Sequence, residues 1–269
     1  MLRFAGCVIA GAIALGAAVP ASADTIFDDI RSKGLTVTVG AAFPVSPKFE
    51  GSDTYVFAPG PLLNIRPIGA PPRFFTPKES FGVTVFEFGG WQFGPAVAVE
   101  RIRKVKNEPM YLSEFDKSTV AVEVGMFAEY WFAKWVRYRT ELRQGVTEGQ
   151  GFINDHAIDF VAPFGAWMLS AGPRLRIVDA KANSRSFDIT AQQSLTSGLA
   201  TYDAGGGIRS VGGGVQALYR FNPQWAIYTF AEYDRLVSDA HNSSYVAARG
   251  SSDIWLVGSG FQFSFDWVR

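Results

Sequence analysis

Six charged side chains in two neighbouring segments are the residues best placed to do chemistry. Within the predicted strands 118–131 and 134–145, the charged residues other than Lys134 share one parity, and apolar residues such as Val122 and Tyr138 occupy the other. Period-two alternation puts the two sets on opposite faces of a strand. The predicted lumen charge cluster consists of Glu123, Glu129, Arg137, Arg139, Glu141 and Arg143. Facing an enclosed interior, it would form either a mixed-charge constriction for a zwitterionic or anionic solute, or a salt-bridged plug.

Groups that could support catalysis or bind a metal are sparse. The chain has two histidines and one cysteine, which excludes a disulfide framework and a cysteine-based zinc site. His156 directly follows Asp155, and His241 lies two residues after Asp239. Both pairs lie at predicted external strand ends or loops, where the Asp and His groups of a barrel protease would be expected. We interpret both histidines as solvated residues, because neither a G-x-S-x-G nor an H-E-x-x-H motif is present. We therefore expect no enzyme activity, no cofactor and no metal.

The composition excludes several classes of partner and fold. The 25 basic and 25 acidic residues give no net charge, so the clustered positive field that nucleic acid requires is missing. The 23 Phe, 9 Tyr and 7 Trp argue against disorder. A mean hydropathy of +0.08 is too low for a multi-helix membrane protein but suits a membrane barrel with a polar interior.

The sequence of the N-terminus predicts an export signal. A charge at Arg3, an uncharged run over 4–20 and Ala21-Ser22-Ala23 form the pattern of a secretory signal peptide over 1–23. The mature chain then begins at Asp24 without cysteine, and 24–34 forms a periplasmic N-terminal stretch.

The remaining chain, 35–269, predicts an all-β, closed antiparallel transmembrane β-barrel. Segments of about 11 to 13 residues alternate in polarity, longer than the 5 or 6 residues of most soluble strands. Short and long connections also alternate, as in bacterial outer-membrane barrels. We predict twelve strands, or ten if 72–88 is irregular. They lie near 35–43, 54–66, 72–77, 80–88, 91–101, 118–131, 134–145, 156–169, 172–180, 208–221, 225–235 and 253–267.

The last predicted strand has an aromatic outer face. Trp255, Phe261, Phe263, Phe265 and Trp267 share one parity, as a lipid-facing strand requires. The stretch from Gly260 to Phe265 resembles the C-terminal signal that the barrel-assembly machinery recognises. Residues 266–269 continue beyond it, whereas such proteins commonly end on the aromatic residue.

Several segments are similar to the MipA/OmpV family of outer-membrane proteins, in the family's own order. The first is an E-G-S-D motif at Glu50, Gly51, Ser52 and Asp53. The others lie at 124–130, 143–151 with Asp155 and Asp159, 195–202, and 232–240. Residues 242–244 depart from the family, which often has Ser-Pro there. The resemblance covers most of 35–265.

This resemblance implies a barrel in the bacterial outer membrane that holds murein-synthesising and murein-cleaving enzymes, a lytic transglycosylase among them. Some relatives are instead described as porin-like, which implies a narrow small-solute channel. Lipid of the outer membrane and the assembly machinery are the other expected partners. The short predicted periplasmic turns offer an enzyme little surface, and residues 24–34 are a second candidate for docking.

Overall fold

The computed structural model describes residues 34–69, 72, 74–103, 118–147 and 151–268. The predicted signal peptide, its cleavage before Asp24 and the stretch 24–33 lie outside these residues. The described part contains thirteen strands in one sheet. In chain order they are β1 (Leu35–Pro47), β2 (Tyr55–Phe57), β3 (Gly60–Pro67), β4 (Phe81–Gly82), β5 (Phe86–Phe88), β6 (Trp91–Arg103), β7 (Ser118–Ala133), β8 (Val136–Gly145), β9 (Phe152–Phe164), β10 (Trp167–Val178), β11 (Gly207–Arg220), β12 (Trp225–Leu236) and β13 (Asp253–Trp267).

The sheet is antiparallel throughout and brings the first and the last strand together. Strands β6 to β13 each pair with the next, and β13 pairs with β1 in a register that sets Val39 opposite Phe263. The short strands complete the two edges, because β2 and β3 pair with β1 while β4 and β5 pair with β6. Among the described residues, no ladder joins β3 to β4 or β5. The all-β antiparallel prediction is confirmed as a curled sheet.

The two faces of the long strands differ as the alternation predicts. Nine strands have ten or more residues, enough to cross a bilayer at a tilt. On β7, Val120, Val124 and Met126 are exposed on the outer face, whereas Glu123 and Glu129 are buried on the inner face. Exposed apolar side chains recur around the sheet, from Val39 on β1 to Trp267 on β13. An apolar exterior of this extent suits contact with lipid.

Short turns mark one end of the barrel, which we call the turn end. Connections at 89–90, 134–135, 165–166 and 221–224 lie there with Gly34 and Val268. Aromatic side chains surround this end, including Trp225 on β12. Tyr233 is another aromatic residue on the same strand, eight residues further along. The distance between Trp225 and Tyr233 is about 27 Å along the strand, or about 20 Å along the barrel axis at a typical tilt, which is close to the height of a membrane barrel's apolar band. Since the short turns of bacterial outer-membrane barrels are the periplasmic ones, we expect the turn end to face the periplasm.

The opposite end carries four short helices that the sequence reasoning placed in loops. They are α1 (Ala180–Phe187), α2 (Ala191–Ser197), α3 (Ser238–Asn242) and α4 (Ser244–Arg249). Asp179 caps α1 through the backbone N–H of Ala182, and Thr190 and Gln193 form a capping box on α2. None of the described helices has the length and hydrophobicity needed to cross a bilayer.

Two parts of the strand assignment are wrong. The predicted strand 72–77 is irregular where it is described, and 80–88 holds only β4 and β5, because prolines crowd this part of the chain. The break predicted between strands 156–169 and 172–180 lies instead at 165–166, so these two strands are replaced by β9 and β10. Pro173 sits inside β10 beside a break in the ladder with β9.

Candidate functional site

The predicted charge cluster lies inside the barrel. The side chains of Glu123, Glu129, Arg137, Arg139, Glu141 and Arg143 are each no more than 4% exposed. They come from β7 and β8, whose register sets Glu129 opposite Arg139 and puts every charged residue of the six on the inner face. The alternation of the two strands therefore brings all six residues together.

The cluster is part of a larger set of ion pairs, which we call the lumen charge network. Its core links Arg137, Arg139, Arg143, Arg174, Arg176, Arg185 and Arg209 to nine carboxylates. The carboxylates are Glu50, Glu79, Glu100, Glu123, Glu129, Glu141, Asp155, Asp159 and Glu232. The pair Lys78–Asp234 lies beside them. Buried ion pairs persist only when each charge is closely matched, which this interior achieves by alternating signs.

Arg137 is the most enclosed member of the network. Its side chain is 0% exposed. Its Nε and Nη2 donate to Asp159 Oδ2 at 3.0 and 2.6 Å, and Nη1 donates to Glu129 Oε2 at 3.3 Å. Nη2 also donates to Glu79, and the guanidinium lies 4.5 Å from the centre of the Phe74 ring. This one cation therefore holds three carboxylates from three different parts of the chain.

Arg143 and Arg176 continue the network towards the opposite end. Arg143 donates to Glu123 Oε2 at 3.1 Å and to Asp155 Oδ2 at 2.6 Å. Arg176, on β10, binds the other side of Asp155 at 2.6 Å and reaches Glu100 on β6 at 2.9 Å. Because β6 and β10 are not neighbours in the sheet, these contacts cross the interior of the barrel.

Residues 74–80, which we call the lumen segment, run through the interior between the edge strands β3 and β4. The segment is bound to opposite walls, since Lys78 pairs with Asp234 on β12 and Glu79 pairs with Arg137 on β8. Ser80 donates its backbone N–H and its hydroxyl to Glu141. The strand prediction did not place this segment in the interior, because Lys78 and Glu79 are adjacent charged residues and do not alternate with apolar ones.

The wall formed by β11 and β12 is apolar near the turn end. Leu218, Tyr228 and Phe230 are buried there, and Phe75 of the lumen segment packs edge-on against Tyr228 with ring centres 5.5 Å apart. The side chain of Gln216 donates to the Phe75 carbonyl at 3.1 Å. The lumen segment thus presents an apolar side to one wall and charged groups to the other, and it fills the space between them.

The E-G-S-D motif joins the first long loop to the network. Glu50 accepts from Arg176 at 2.7 Å and from Arg209 at 2.8 Å. Burial alone would raise the pKa of the Glu50 carboxyl, but Arg176 and Arg209 together hold that pKa below its ordinary value. Gly51 has φ of +85°, where a side chain would be strained and would meet Val246 and Phe187. Ser52 is buried and bridges to Gly250, while Asp53 is exposed.

The described loops after β1, β10 and β12 fold into a cap over the end of the barrel opposite the turns. Its apolar core is made of Phe49, Phe187, Ile189, Leu199, Ala204, Leu236, Ala240, Tyr245, Val246 and Ile254. Arg103, at the end of β6, donates to the carbonyls of Ser186 and Asp188 at 3.0 and 2.5 Å, which fixes the end of α1. Arg209 donates to the Ala182 carbonyl at 2.6 Å. The cap is therefore a small packed unit held by buried arginines.

A small cavity lies beside the network. The cavity lined by Lys78, Glu79, Glu141, Asp155 and Arg176 has a volume of about 50 Å³. Such a volume holds a few water molecules. Water-filled spaces of this size suit a plugged interior, since an aqueous channel appears only in much wider barrels.

Sequence reasoning missed several members of the network. Arg174 and Arg176 alternate with apolar residues on β10, as do Glu232 and Asp234 on β12, so the same parity signal was present. Glu232 is buried, and both its carboxylate oxygens lack a hydrogen-bond partner in the described part of the chain. Its nearest cation is Arg174, whose Nε lies 3.9 Å away.

The two histidines each contact a hydroxyl group. His156 Nδ1 contacts the Tyr138 hydroxyl at 2.8 Å on the outer face of β9, while Asp155 points inward to the network. His241 Nδ1 contacts the Ser252 hydroxyl at 2.6 Å. Within 34–103, 118–147 and 151–268, apart from the few residues not described, no group of His, Cys, Asp and Glu has the arrangement of a metal site.

The residues of the proposed C-terminal signal lie on the final strand near the turn end. Phe263 and Phe265 are on the outer side of β13, and the Phe263 ring lies 4.7 Å from that of Trp225. Gly260 faces inward, where a Cβ would come within 2.4 Å of Tyr228. Recognition by the assembly machinery stays a prediction.

Comparisons with known proteins cover most of the chain. Solved structures similar to it include Neisserial surface protein A, at 10% identity with 86% of this chain and 97% of that chain covered and a TM-score of 0.31. OprG of Pseudomonas aeruginosa matches at 10% identity, 86% and 96% coverage and a TM-score of 0.32. OmpT of Vibrio cholerae matches at 9% identity, with 86% of this chain and 97% of that chain covered and a TM-score of 0.36. No curated protein matches the sequence.

The family comparison is decisive. The family described as MltA-interacting protein MipA matches residues 39–265, which include every strand from β2 to β12 and most of β1 and β13. The exposed apolar side chains around the sheet indicate the environment of such a barrel. The chain therefore belongs to the MipA family, and its place is the bacterial outer membrane.

Proposed function

We propose that this protein is a non-conducting outer-membrane barrel that holds peptidoglycan-cleaving and peptidoglycan-synthesising enzymes at the periplasmic surface. The observation that carries the proposal is the filled interior, in which the lumen segment is ion-paired to both walls. A barrel with such an interior is better suited to anchoring a partner than to passing a solute. The family description, MltA-interacting protein, supports a lytic transglycosylase as one partner.

The docking surface is limited by the geometry of the turn end. The turns at 89–90, 134–135 and 165–166 have two residues each, and the turn at 221–224 has four. A stable interface needs about 800 Å² from each partner, so single turns do not suffice. The proposal therefore uses several turns together with the chain that leads into Gly34.

Conductance in planar bilayers tests the first half of the proposal. We expect no stepwise current from the purified, refolded protein under conditions where a general porin conducts. The double variant Arg139→Ala with Arg143→Ala should then open a measurable current, because it removes two cations from the plug. A steady current through the unaltered protein, with ion selectivity that the double variant changes, would instead favour the narrow channel.

Co-flotation with proteoliposomes tests the second half. We expect a lytic transglycosylase from the same bacterium to float with vesicles that contain the barrel. Lys134→Glu, in an exposed turn at the turn end, should weaken this binding because it reverses a charge on the docking surface. Lys181→Glu is the matched control, since the same change is made in the exposed part of the cap. Docking at the turn end would be contradicted if both variants lost transglycosylase binding equally. It would also be contradicted if vesicles with the unaltered barrel did not bind the transglycosylase.

A further inference from the structure

A group of polar side chains, which we call the polar stripe, interrupts the lipid-facing surface on β8 and β9. It consists of Tyr138, Thr140, Asn154 and His156. Thr140 lies opposite His156 in the register of the two strands, and all four residues share the outward parity of the exposed Leu142. On the flanking strands, the outward residues from 122 to 128 on β7 and from 169 to 177 on β10 are all apolar. The stripe is therefore a local exception on this side of the barrel.

The polar stripe lies at the depth of the hydrocarbon. On β9, Phe152 and Phe160 are exposed aromatic residues eight positions apart, the same spacing that separates Trp225 from Tyr233 on β12. His156 is the fourth residue from each of the two phenylalanines, so about 13 Å of strand separates it from either. Its side chain therefore meets the middle of the apolar band and not the polar headgroups.

The hydrogen bonds within the stripe leave some of its polar groups unused. The Tyr138 hydroxyl contacts His156 Nδ1 at 2.8 Å, and Thr140 Oγ1 donates to Asn154 Oδ1 at 2.9 Å. Within the part of the chain that the structure describes, His156 Nε2 and Asn154 Nδ2 make no hydrogen bond. Acyl chains contain neither donors nor acceptors, and an unsatisfied polar group in hydrocarbon is costly. The stripe therefore requires a polar partner at this depth.

We propose that the polar stripe is the contact between two copies of this barrel that lie side by side in the membrane. A second stripe supplies the missing partners, since the hydroxyls of Tyr138 and Thr140 can still accept hydrogen bonds and Asn154 Nδ2 can donate them. Copies inserted in the same direction are related by a two-fold axis along the membrane normal, which sets equal depths opposite each other. Such a contact uses the same surface on both copies and closes at the dimer.

The size of this face suits a dimer that depends on its polar centre. The surface from β7 to β10 is four strands wide. With a strand spacing of about 4.8 Å and an apolar band about 25 Å tall, it covers about 500 Å² on each copy. Two such faces bury about 1,000 Å², which is the lower limit for a specific interface. Apolar contact alone is as favourable with lipid, so the hydrogen bonds of the stripe must select the second copy.

Cross-linking in intact outer membranes tests which surface lies between the copies. Leu142→Cys, which lies opposite Asn154 at a position 52% exposed, should give a product of twice the barrel's mass with a short bismaleimide. Val257→Cys is the matched control, because this position is 46% exposed on β13, five strands away from β8 in the sheet. Both changes are made together with Cys7→Ser, which removes the chain's own cysteine.

Analytical ultracentrifugation of the purified barrel in a mild detergent tests the polar contact itself. Asn154→Leu combined with His156→Leu should raise the dissociation constant of the dimer at least tenfold, while apolar side chains remain suited to the outer face. The matched control is Thr229→Leu combined with Ser259→Leu, which replaces an outward polar pair on β12 and β13 and should leave the constant unchanged. Heat-modifiable migration on a gel checks that each variant is folded. If the stripe variant does not fold, the cross-linking experiment carries the test.

The proposal is overturned if the unaltered barrel is monomeric at every concentration, or if Val257→Cys forms the double-mass product as readily as Leu142→Cys. It is equally overturned if the control pair of leucines weakens the dimer as much as the stripe variant does. A cross-linked product that contains a different polypeptide would also overturn it, because the stripe would then bind another membrane protein. Neither experiment includes a transglycosylase, so the dimer and the proposed scaffold role succeed or fail separately.

Discussion

Replacing Arg137 by methionine should destabilise the barrel strongly, because a buried cation would be lost from among three carboxylates. Arg137 is 0% exposed and contacts Glu79, Glu129 and Asp159. Removing one partner of a buried ion pair costs about 3–5 kcal/mol, since the remaining charge is left unmatched. In the variant, Arg139 still reaches Glu79 and Glu129, and Arg174 still reaches Asp159. We therefore expect the free energy of unfolding to fall by about 3 kcal/mol, near the lower limit of this range. That loss corresponds to about a 150-fold change in the unfolding equilibrium.

Urea unfolding of the barrel refolded into detergent or lipid measures this loss. Tryptophan fluorescence and heat-modifiable migration should report the same transition if unfolding has two states. Lys134→Met is the control, because the same side chain is removed at an exposed turn. A further variant that combines Arg137→Met with Asp159→Asn should recover about 1 kcal/mol, since Asp159 Oδ2 loses both of its donors with Arg137 while Arg174 binds only Oδ1.

The result that would refute this reasoning is a small loss. If Arg137→Met costs less than about 1 kcal/mol, the carboxylates around it must be solvated or shielded by other groups, and the network cannot be a water-excluding plug. No recovery in the double variant would lead to the same conclusion for Asp159.

Three further predictions concern the outer face, Glu232 and the loop motif. Val124→Arg should cost about 2–4 kcal/mol in unfolding experiments because its charge would enter lipid; a harmless effect would mean that the two faces of β7 are assigned the wrong way round. Glu232→Gln should raise the unfolding free energy by about 1 kcal/mol, since it removes a buried charge whose oxygens lack hydrogen-bond partners; a loss of stability would show that the charge is needed. Because the pKa of Glu50 is lower in the folded state, its contribution is present above the ordinary value of about 4.3 and is lost as pH falls below it. Unfolding measured against pH should show this loss in the unaltered protein and less of it in Glu50→Gln.

The architecture followed from the sequence because the pattern of a membrane strand is local. Glu129 and Arg137 are placed on one face by their own neighbours, whatever the rest of the barrel does. The same signal was available for Arg174 and Glu232, which were overlooked. Parity alone does not say which charges meet across the interior, since that depends on the curl of the whole sheet.

The lumen segment and the cap could not be derived in this way. Lys78 and Glu79 lie in an irregular stretch, and their contacts are with strands far away in the sequence. The helices α1 to α4 have five to eight residues, too few for a periodic signal. The sequence predicts a break between 169 and 172, whereas the pairing of β9 with β10 places the turn at 165–166, because register depends on the partner strand and not on local residues alone.

The span of the network along the chain has a consequence for assembly. Glu50 meets Arg209 across 159 residues, and Lys78 meets Asp234 across 156. Contacts at such separation form late, because the loop they enclose must be ordered first. Until β11 and β12 have joined, the charges on the earlier strands stay hydrated in an unfinished interior. The final step of insertion must therefore expel this water and pair the charges together, so its rate should respond to ionic strength more than the rates of the earlier steps do.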